Sequence, residues 1–191
     1  MKHRAFLLAF ATFLSASVQA QPQQQSLQSL EQQAQTITKQ FGGQLKALLQ
    51  SSIISSGPEN AISICKMNAP AIAQQVRQSH GWEVARTSTK LRNPSNRADL
   101  WEARILTQWQ EQLSQGAPLQ SLKASQIVTQ NGKQVYRYMK PIGVADVCLN
   151  CHGQHLSAGV KQTLQDLYPE DKATGYKKGD LRGAFTLQKA L

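Results

Sequence analysis

Five consecutive residues, Cys148-Leu149-Asn150-Cys151-His152, constrain this chain more than any other feature of its sequence. Two thiols three residues apart, followed at once by an imidazole, form the C-x-x-C-H pattern of covalent c-type haem attachment. The spacing suits this chemistry because both thiols can add to the two vinyl groups of one porphyrin while the adjacent histidine turns towards the iron. The pattern therefore predicts one covalently bound haem c, with His152 as an axial ligand.

The same cysteines could instead form a redox-active dithiol or belong to a zinc site. A thioredoxin-like dithiol lies between a strand and a long helix of a parallel sheet, and the hairpin pattern before Cys148 does not suggest that context. A structural zinc site needs a second pair of ligands at a similar spacing, which the sequence lacks. The local sequence therefore favours haem attachment.

The first twenty residues have the layout of a cleavable secretory signal. A cationic start is followed by an apolar run over residues 5–14 and a small-residue ending at residues 18–20. The apolar run has about half the length that a membrane-spanning helix needs. We therefore predict that residues 1–20 are removed and that the mature chain spans no membrane and is periplasmic or otherwise exported, where haem c is attached.

The charge balance is strongly basic, with 21 Lys and Arg against 11 Asp and Glu and a formal net charge of +10. Loss of Lys2 and Arg4 with the signal leaves 19 basic residues and a net charge of +8. Such a charge can attract nucleic acid or an anionic membrane, but an exported protein does not meet DNA. We expect no nucleic-acid partner. The charge fits a solvated surface with some residues facing a bound anion, and the expected partner is an unknown redox protein, of which an acidic one is an option.

The N-terminal part of the mature chain predicts a long helix. From Leu27 to Leu48 apolar residues recur in steps of three or four, which predicts a Gln-rich amphipathic helix over residues 21–55. Its few heptads fit a core-facing helix better than a coiled coil, and they leave a monomer or a homodimer through this helix as the two options. Gly42-Gly43 predicts either a bend or the close approach of another backbone.

The remaining residues, 56–191, predict an α+β haem domain. A second helix is expected to open at Gly57-Pro58, to be interrupted near Pro70 and to end at Gly81. The elements expected after it are a strand over 82–88, a helix over 98–115 capped by Asn96, a hairpin turning at Asn131-Gly132, a helix over 158–167 and a strand over 182–188. This order predicts a small antiparallel sheet flanked by helices.

If His152 binds a haem iron, the opposite face of the haem needs a second ligand. His155 is too close along the chain to reach that face, His80 is typical of an exposed helix end, and methionines are more often core filler. Cys65 is the odd cysteine in an oxidising compartment, and either iron ligation or inert burial would account for it. The candidates are thus Cys65, Met67, Met139, His80 and His155.

Four further blocks of sequence accompany the C-x-x-C-H motif, in order along the chain. They cover residues 61–70, residues 86–96 with Trp101-Glu102, residues 138–142, and residues 175–185. Through these blocks the chain resembles the exported PAS-like c-type haem proteins with His/Cys axial ligation, a family of unknown function represented by a cyanobacterial Tll-type haem protein. Arg97-Ala98-Asp99 departs from the family pattern, which often has a proline before the acidic residue.

The resemblance implies a PAS-like antiparallel sheet with the haem held against it, and His152 and Cys65 as the axial pair. Four basic residues inside the family blocks are implied as partners of the haem propionates, because guanidinium and carboxylate pair bidentately. Exposed surface charges would explain these residues equally well. They are Arg86, Lys90, Arg92 and Arg182.

Three functions are compatible with such a haem. The first is electron transfer or redox sensing, for which a thiolate ligand would lower the reduction potential. The second is sensing of NO or CO by displacement of Cys65, which rests on analogy with other haem sensors. The third is a haem peroxidase, which needs a distal acid/base pair that the sequence does not show. We therefore expect a carrier or sensor and not an enzyme.

Overall fold

The structure, a computed structural model, describes residues 21–191. The predicted secretory signal at residues 1–20 lies outside the described residues. The helices are α1 Gln21–His80, α2 Leu100–Ser114, α3 Leu149–His152 and α4 Ala158–Leu167, and the strands are β1 Glu83–Thr87, β2 Ala124–Gln130, β3 Lys133–Gly143 and β4 Leu181–Ala190. No helix in the described part of the chain combines the length and apolar character needed to cross a membrane.

The four strands form one antiparallel sheet in the order β1-β4-β3-β2. The predicted hairpin joins β2 to β3, and both turn residues have positive φ, 50° at Asn131 and 77° at Gly132. Such a turn matches the twist of the strands it joins. Strand β4 pairs with both β1 and β3 and so occupies the interior of the sheet. The predicted antiparallel sheet flanked by helices is confirmed.

The first half of α1 covers one face of this sheet. Its apolar residues recur every three or four positions, so they lie on one side of the helix. They are buried against apolar side chains of β1, β3 and β4, and the predicted amphipathic helix is confirmed. The apolar face with which this helix could form a coiled coil is therefore buried against the sheet of the same chain. The buried helix residues are Ala34, Ile37 and Phe41, and they face Trp82, Val84, Tyr136, Tyr138 and Leu187.

At Gly42, α1 lies close to the sheet. A Cβ atom at this position would lie 2.8 Å from the Phe185 ring of β4, whereas one at Gly43 would meet nothing within 4 Å. The Phe185 ring also makes an edge contact with Phe41, with ring centroids 5.7 Å apart. The close approach predicted at Gly42-Gly43 is present, but it is made by an aromatic side chain and not by a backbone.

The two halves of α1 meet at a kink. Gly57 has φ 77° and ψ 169°, outside the helical region, and Pro58 follows in the first turn of the second half. The predicted opening at Gly57-Pro58 is confirmed, but the predicted interruption near Pro70 is wrong because the helix continues to His80. A proline has no backbone N–H to donate. At Pro70 this leaves the carbonyl of Lys66, four residues earlier, without its helical donor, and Lys66 is exposed.

Helix α2 packs on the opposite face of the sheet. Asp99 is its N-cap and forms a reciprocal capping box with Glu102, so the prediction of Asn96 as the cap is wrong. Asn96 instead closes a short 3-10 turn that Asn93 caps. A cap accepts the orphan amides of the first turn, and Asp99 is the polar residue next to that turn. Buried residues from both layers fill this core: Leu106, Trp109, Leu122, Met139 and Ala184.

Candidate functional site

The short helix α3 places the two motif cysteines in different apolar clusters. Cys148 ends a 3-10 turn, and its Sγ accepts the Ala145 amide at 3.4 Å. Cys151, one turn later, is buried. All three cysteines of the chain are free thiols. Cys151 packs with Ile62, Val160 and Leu164, whereas Cys148 packs beside Val144, Ala173 and Tyr176.

The His152 imidazole is held in one tautomer. Its Nδ1 lies 2.6 Å from the carbonyl oxygen of Ala173, and a carbonyl only accepts, so Nδ1 carries the proton and Nε2 keeps its lone pair. The Tyr176 ring stands edge-on to the imidazole, with centroids 6.2 Å apart. Burial first, and then the Arg92 charge, hold the pKa of His152 well below 6.5. His152 is therefore a neutral imidazole whose Nε2 carries no proton, the form that binds metals, and Arg92 Nη1 lies 3.5 Å from that nitrogen.

Cys65 lies on the second half of α1 and approaches this motif. Ile62, one turn before it, packs directly on Cys151. Burial raises the pKa of the Cys65 thiol, and the Arg86 guanidinium opposes that shift. Cys65 is also close enough to Cys151 to contribute to the raised pKa of the Cys151 thiol, although burial is its main cause. The structure thus brings Cys65 to the C-x-x-C-H helix from a distant part of the sequence.

Two arginines beside this site have unused donors. The Arg86 side chain makes no hydrogen bond or ion pair with the residues that the structure describes. Arg182 donates through Nη1 to Ser88 Oγ at 2.9 Å and to the Lys90 carbonyl at 3.1 Å, but its buried Nε has no partner. Burial lowers the pKa of both guanidinium groups. Buried cations without a carboxylate are costly, so this arrangement suits an anionic ligand.

The other two predicted propionate partners are already engaged. Lys90 donates from Nζ to the Thr174 carbonyl at 2.7 Å and lies over the Tyr176 ring, 4.6 Å from its centroid. Arg92 forms a shielded ion pair with Asp171 at 2.9 Å. Asp171 therefore pairs with Arg92, whereas neither Arg86 nor Arg182 forms an ion pair with a carboxylate among the described residues.

The chain matches one protein family over nearly its whole length. A sequence model of the Tll0287-like family matches residues 15–189. The chain belongs to the Tll0287-like family. The crystal structure of the cyanobacterial haem protein Tll0287 is similar to it with a TM-score of 0.60 and 22% identity, over 90% of this chain and 97% of that chain. No curated protein matches the chain. The likeness confirms the PAS-like α+β fold predicted above.

The rival ligands of this Tll0287-like chain are exposed or engaged elsewhere in the fold. His80 is bonded through Nε2 to Gln40 Oε1 at 2.7 Å, beside the first half of α1. Met139 is fully buried in the core beneath α2, Met67 is 70% exposed, and His155 is exposed. Among the described residues no three His, Cys, Asp or Glu side chains converge as they would around a bare metal ion. His155 lies three residues past His152 and is exposed, so Cys65 is the candidate that a separate element brings to the motif.

Several groups at the Tll0287-like site carry no signal in the sequence. The Ala173 carbonyl acts through the backbone, so its residue type says nothing about its role. Asp171 lies in an irregular segment without periodicity, after the end of α4. Tyr176 falls within a block that carries the family resemblance, and that is the single clue by which it could have been found.

Proposed function

We propose that this Tll0287-like protein binds one haem c through Cys148 and Cys151, with His152 and Cys65 as axial ligands, and acts in electron transfer or redox sensing outside the cytoplasm. The observation that carries the proposal is the approach of Cys65 to the C-x-x-C-H helix. A thiol from α1 and a neutral imidazole from α3 supply two metal-binding groups from separate elements. Membership of a family whose solved relative is a haem protein supports the proposal.

The residues around the motif fit a haem. Cys148 and Cys151 are free thiols one turn apart, and His152 keeps Nε2 free of a proton through its bond to Ala173. Arg86 and Arg182 have unused donors for the two propionates, whose negative charge would compensate theirs. When bound, the haem supplies a one-electron couple whose potential depends on its ligands and surroundings.

The surroundings of Cys65 favour a permanent ligand and a non-catalytic role. Burial raises the pKa of the Cys65 thiol and Arg86 opposes that shift, and a thiolate, once bound, donates electron density that stabilises ferric iron. With two protein ligands the iron would have no open position for a substrate, so we propose a carrier or sensor and not an enzyme. The basic charge of the chain is suited to an acidic redox partner, whose binding would weaken as ionic strength rises.

The experiment is a comparison of absorption spectra of the ferric and ferrous wild-type protein and the Cys65→Ser variant, made in a host that attaches haem c. We expect haem to stay with the chain after denaturation and the thiolate features of the ferric spectrum to be lost in the variant. Met139→Leu and His80→Gln are matched controls, because they remove the rival ligands, and their spectra should equal that of the wild type.

Three results would count against parts of this proposal. A chain that releases its haem on denaturation, or carries none, would exclude covalent attachment. A Cys65→Ser spectrum identical to that of the wild type would exclude Cys65 as a ligand. A change in the ferrous spectrum on addition of CO or NO would favour gas sensing, with Cys65 as the ligand that leaves.

A further inference from the structure

Arg92 and Asp171 form an ion pair that contacts the groups holding the His152 imidazole. We propose that this pair positions His152: it fixes the imidazole plane, and so the ligand geometry of the iron, and does not serve as a propionate partner. The inference rests on the proposed function, because it takes His152 as an iron ligand. Groups that orient a ligand in this way tune metal sites and are sensitive to substitution.

The Arg92 guanidinium connects α3 to the segment that follows α4. Its Nε and Nη2 both donate to Asp171 Oδ2, at 3.1 and 2.9 Å. Nη2 also donates to the Cys151 carbonyl at 2.5 Å and to the Ala173 carbonyl at 3.4 Å. Nη1 lies 3.5 Å from Nε2 of His152. One side chain therefore contacts the carbonyl of the residue before His152 and the carbonyl that accepts the His152 Nδ1 proton. The Nη1 contact with Nε2 would give way to an iron bound there.

Asp171 completes this arrangement from the other side. Its Oδ1 accepts the Ala173 amide at 2.8 Å, while its Oδ2 accepts both Arg92 donors. Ala173 is thus held at its N–H and at its carbonyl, and that carbonyl is the acceptor of the His152 Nδ1 proton. The side chains of Arg92 and Asp171 are 11% and 8% exposed. Because water has little access, the pair holds its geometry better than a surface ion pair does.

The contrast with the neighbouring arginines supports the assignment. Arg86 and Arg182 have no carboxylate among the described residues and keep donors free for an anion. The Nε and Nη2 donors of Arg92 are directed at Asp171 and at two backbone carbonyls. A propionate could take these donors only by breaking contacts that hold the His152 segment.

The test uses the haem-loaded full chain and the variants Arg92→Lys and Asp171→Asn. Lysine keeps the positive charge but cannot reproduce the fork of donors, and asparagine keeps an oxygen for the Ala173 amide. Asp146→Asn is the matched control. Asp146 also forms an ion pair, with Lys178 at 2.7 Å, but it is exposed and does not take part in the contacts that hold His152. The readouts are the g-values of ferric electron paramagnetic resonance and the reduction potential, with haem content and thermal unfolding recorded for each variant.

We expect altered g-values in both Arg92→Lys and Asp171→Asn, and wild-type values in Asp146→Asn. Haem-loaded Arg92→Lys with wild-type g-values and potential would overturn the inference, because charge alone would then suffice. If Arg92→Lys does not fold, Asp171→Asn decides by the same criterion. A wild-type chain that carries no haem would overturn the proposed function, which is a separate and distinguishable result.

Discussion

The ammonium of Lys66 donates to the carbonyl of Leu167 at 2.9 Å, at the C-terminal end of α4. Seven residues earlier in α1, the Glu59 carboxylate accepts a hydrogen bond of 3.0 Å from the hydroxyl of Ser157, the N-cap of α4. A carboxylate near the start of a helix and a cation near its end both complement the helix dipole. The second half of α1 therefore holds α4 at both ends, over the cluster that buries Cys151.

Removal of the Glu59 charge should loosen α4. In Glu59→Gln the start of α4 loses the favourable carboxylate, and we expect a cost of about 0.3 to 1 kcal/mol in local stability. Hydrogen exchange of the α4 amides measures this, with Lys161→Gln, an exposed change within α4, as the control. Exchange that rises equally in both variants would contradict a specific role for Glu59.

A buried polar network beneath α2 should dominate the stability of that layer. Glu102 Oε1 accepts from Arg137 at 3.1 Å and from Thr186 Oγ1 at 2.7 Å, and Arg137 is 3% exposed. In Glu102→Ala the buried Arg137 guanidinium keeps its 2.7 Å ion pair with Asp99, so we expect a loss below the roughly 3 to 5 kcal/mol of a buried charge left wholly unpaired. Urea unfolding measures this loss. Glu111→Ala, exposed on the same helix, should change stability little.

The alkaline stability limit should depend on Tyr138. Burial raises its pKa to about 12 from 10.0, so the folded chain keeps a phenol proton that the unfolded chain loses. This contribution is fully present below pH 10 and is lost as pH rises towards 12. The free energy of unfolding of Tyr138→Phe, relative to that of the wild type, should therefore rise by about 1 kcal/mol between pH 7 and pH 11. A stability difference between the two proteins that is the same at pH 7 and pH 11 would contradict this.

The two adjacent glycines of α1 should respond in opposite ways to alanine. Gly43→Ala meets nothing within 4 Å and should stabilise the chain by about 1 kcal/mol through helix propensity. Gly42→Ala places its Cβ 2.8 Å from the Phe185 ring, and overpacking of about 1 to 3 kcal/mol should exceed that gain. Thermal unfolding of the two variants provides the comparison, and equal shifts would show that the ring moves aside freely.

The local elements were predictable from the sequence because their signals are local. The turn at Asn131-Gly132 needs positive φ at both positions, and the apolar steps of α1 follow the helical repeat. The continuation of α1 through Pro70 was not predictable, because it depends on the surroundings of Lys66, whose carbonyl loses its helical donor at the proline and which is exposed in the fold. The prediction of Asn96 as the cap of α2 was wrong because Asn93 and Asn96 belong to a separate 3-10 turn, and Asp99 caps the helix.

The candidate site was predictable in its chemistry and less so in its surroundings. Spacing alone singled out Cys148, Cys151 and His152, whereas the place of Cys65 depended on family resemblance. Nothing in the sequence distinguishes Arg92 from Arg86, yet Asp171 engages one and leaves the other without a carboxylate. Such differences arise from contacts between distant segments, which periodicity and spacing do not encode.

The position of β4 has a consequence for biosynthesis. This strand pairs with both β1 and β3, yet it is the last of the four to be made. A nascent chain that ends before Leu181 holds β1 without a neighbour and the β2–β3 hairpin without its inner partner, and a lone hairpin is at best marginally stable. The sheet can therefore close only after synthesis reaches β4, so the last ten-residue strand decides when the four-stranded layer forms.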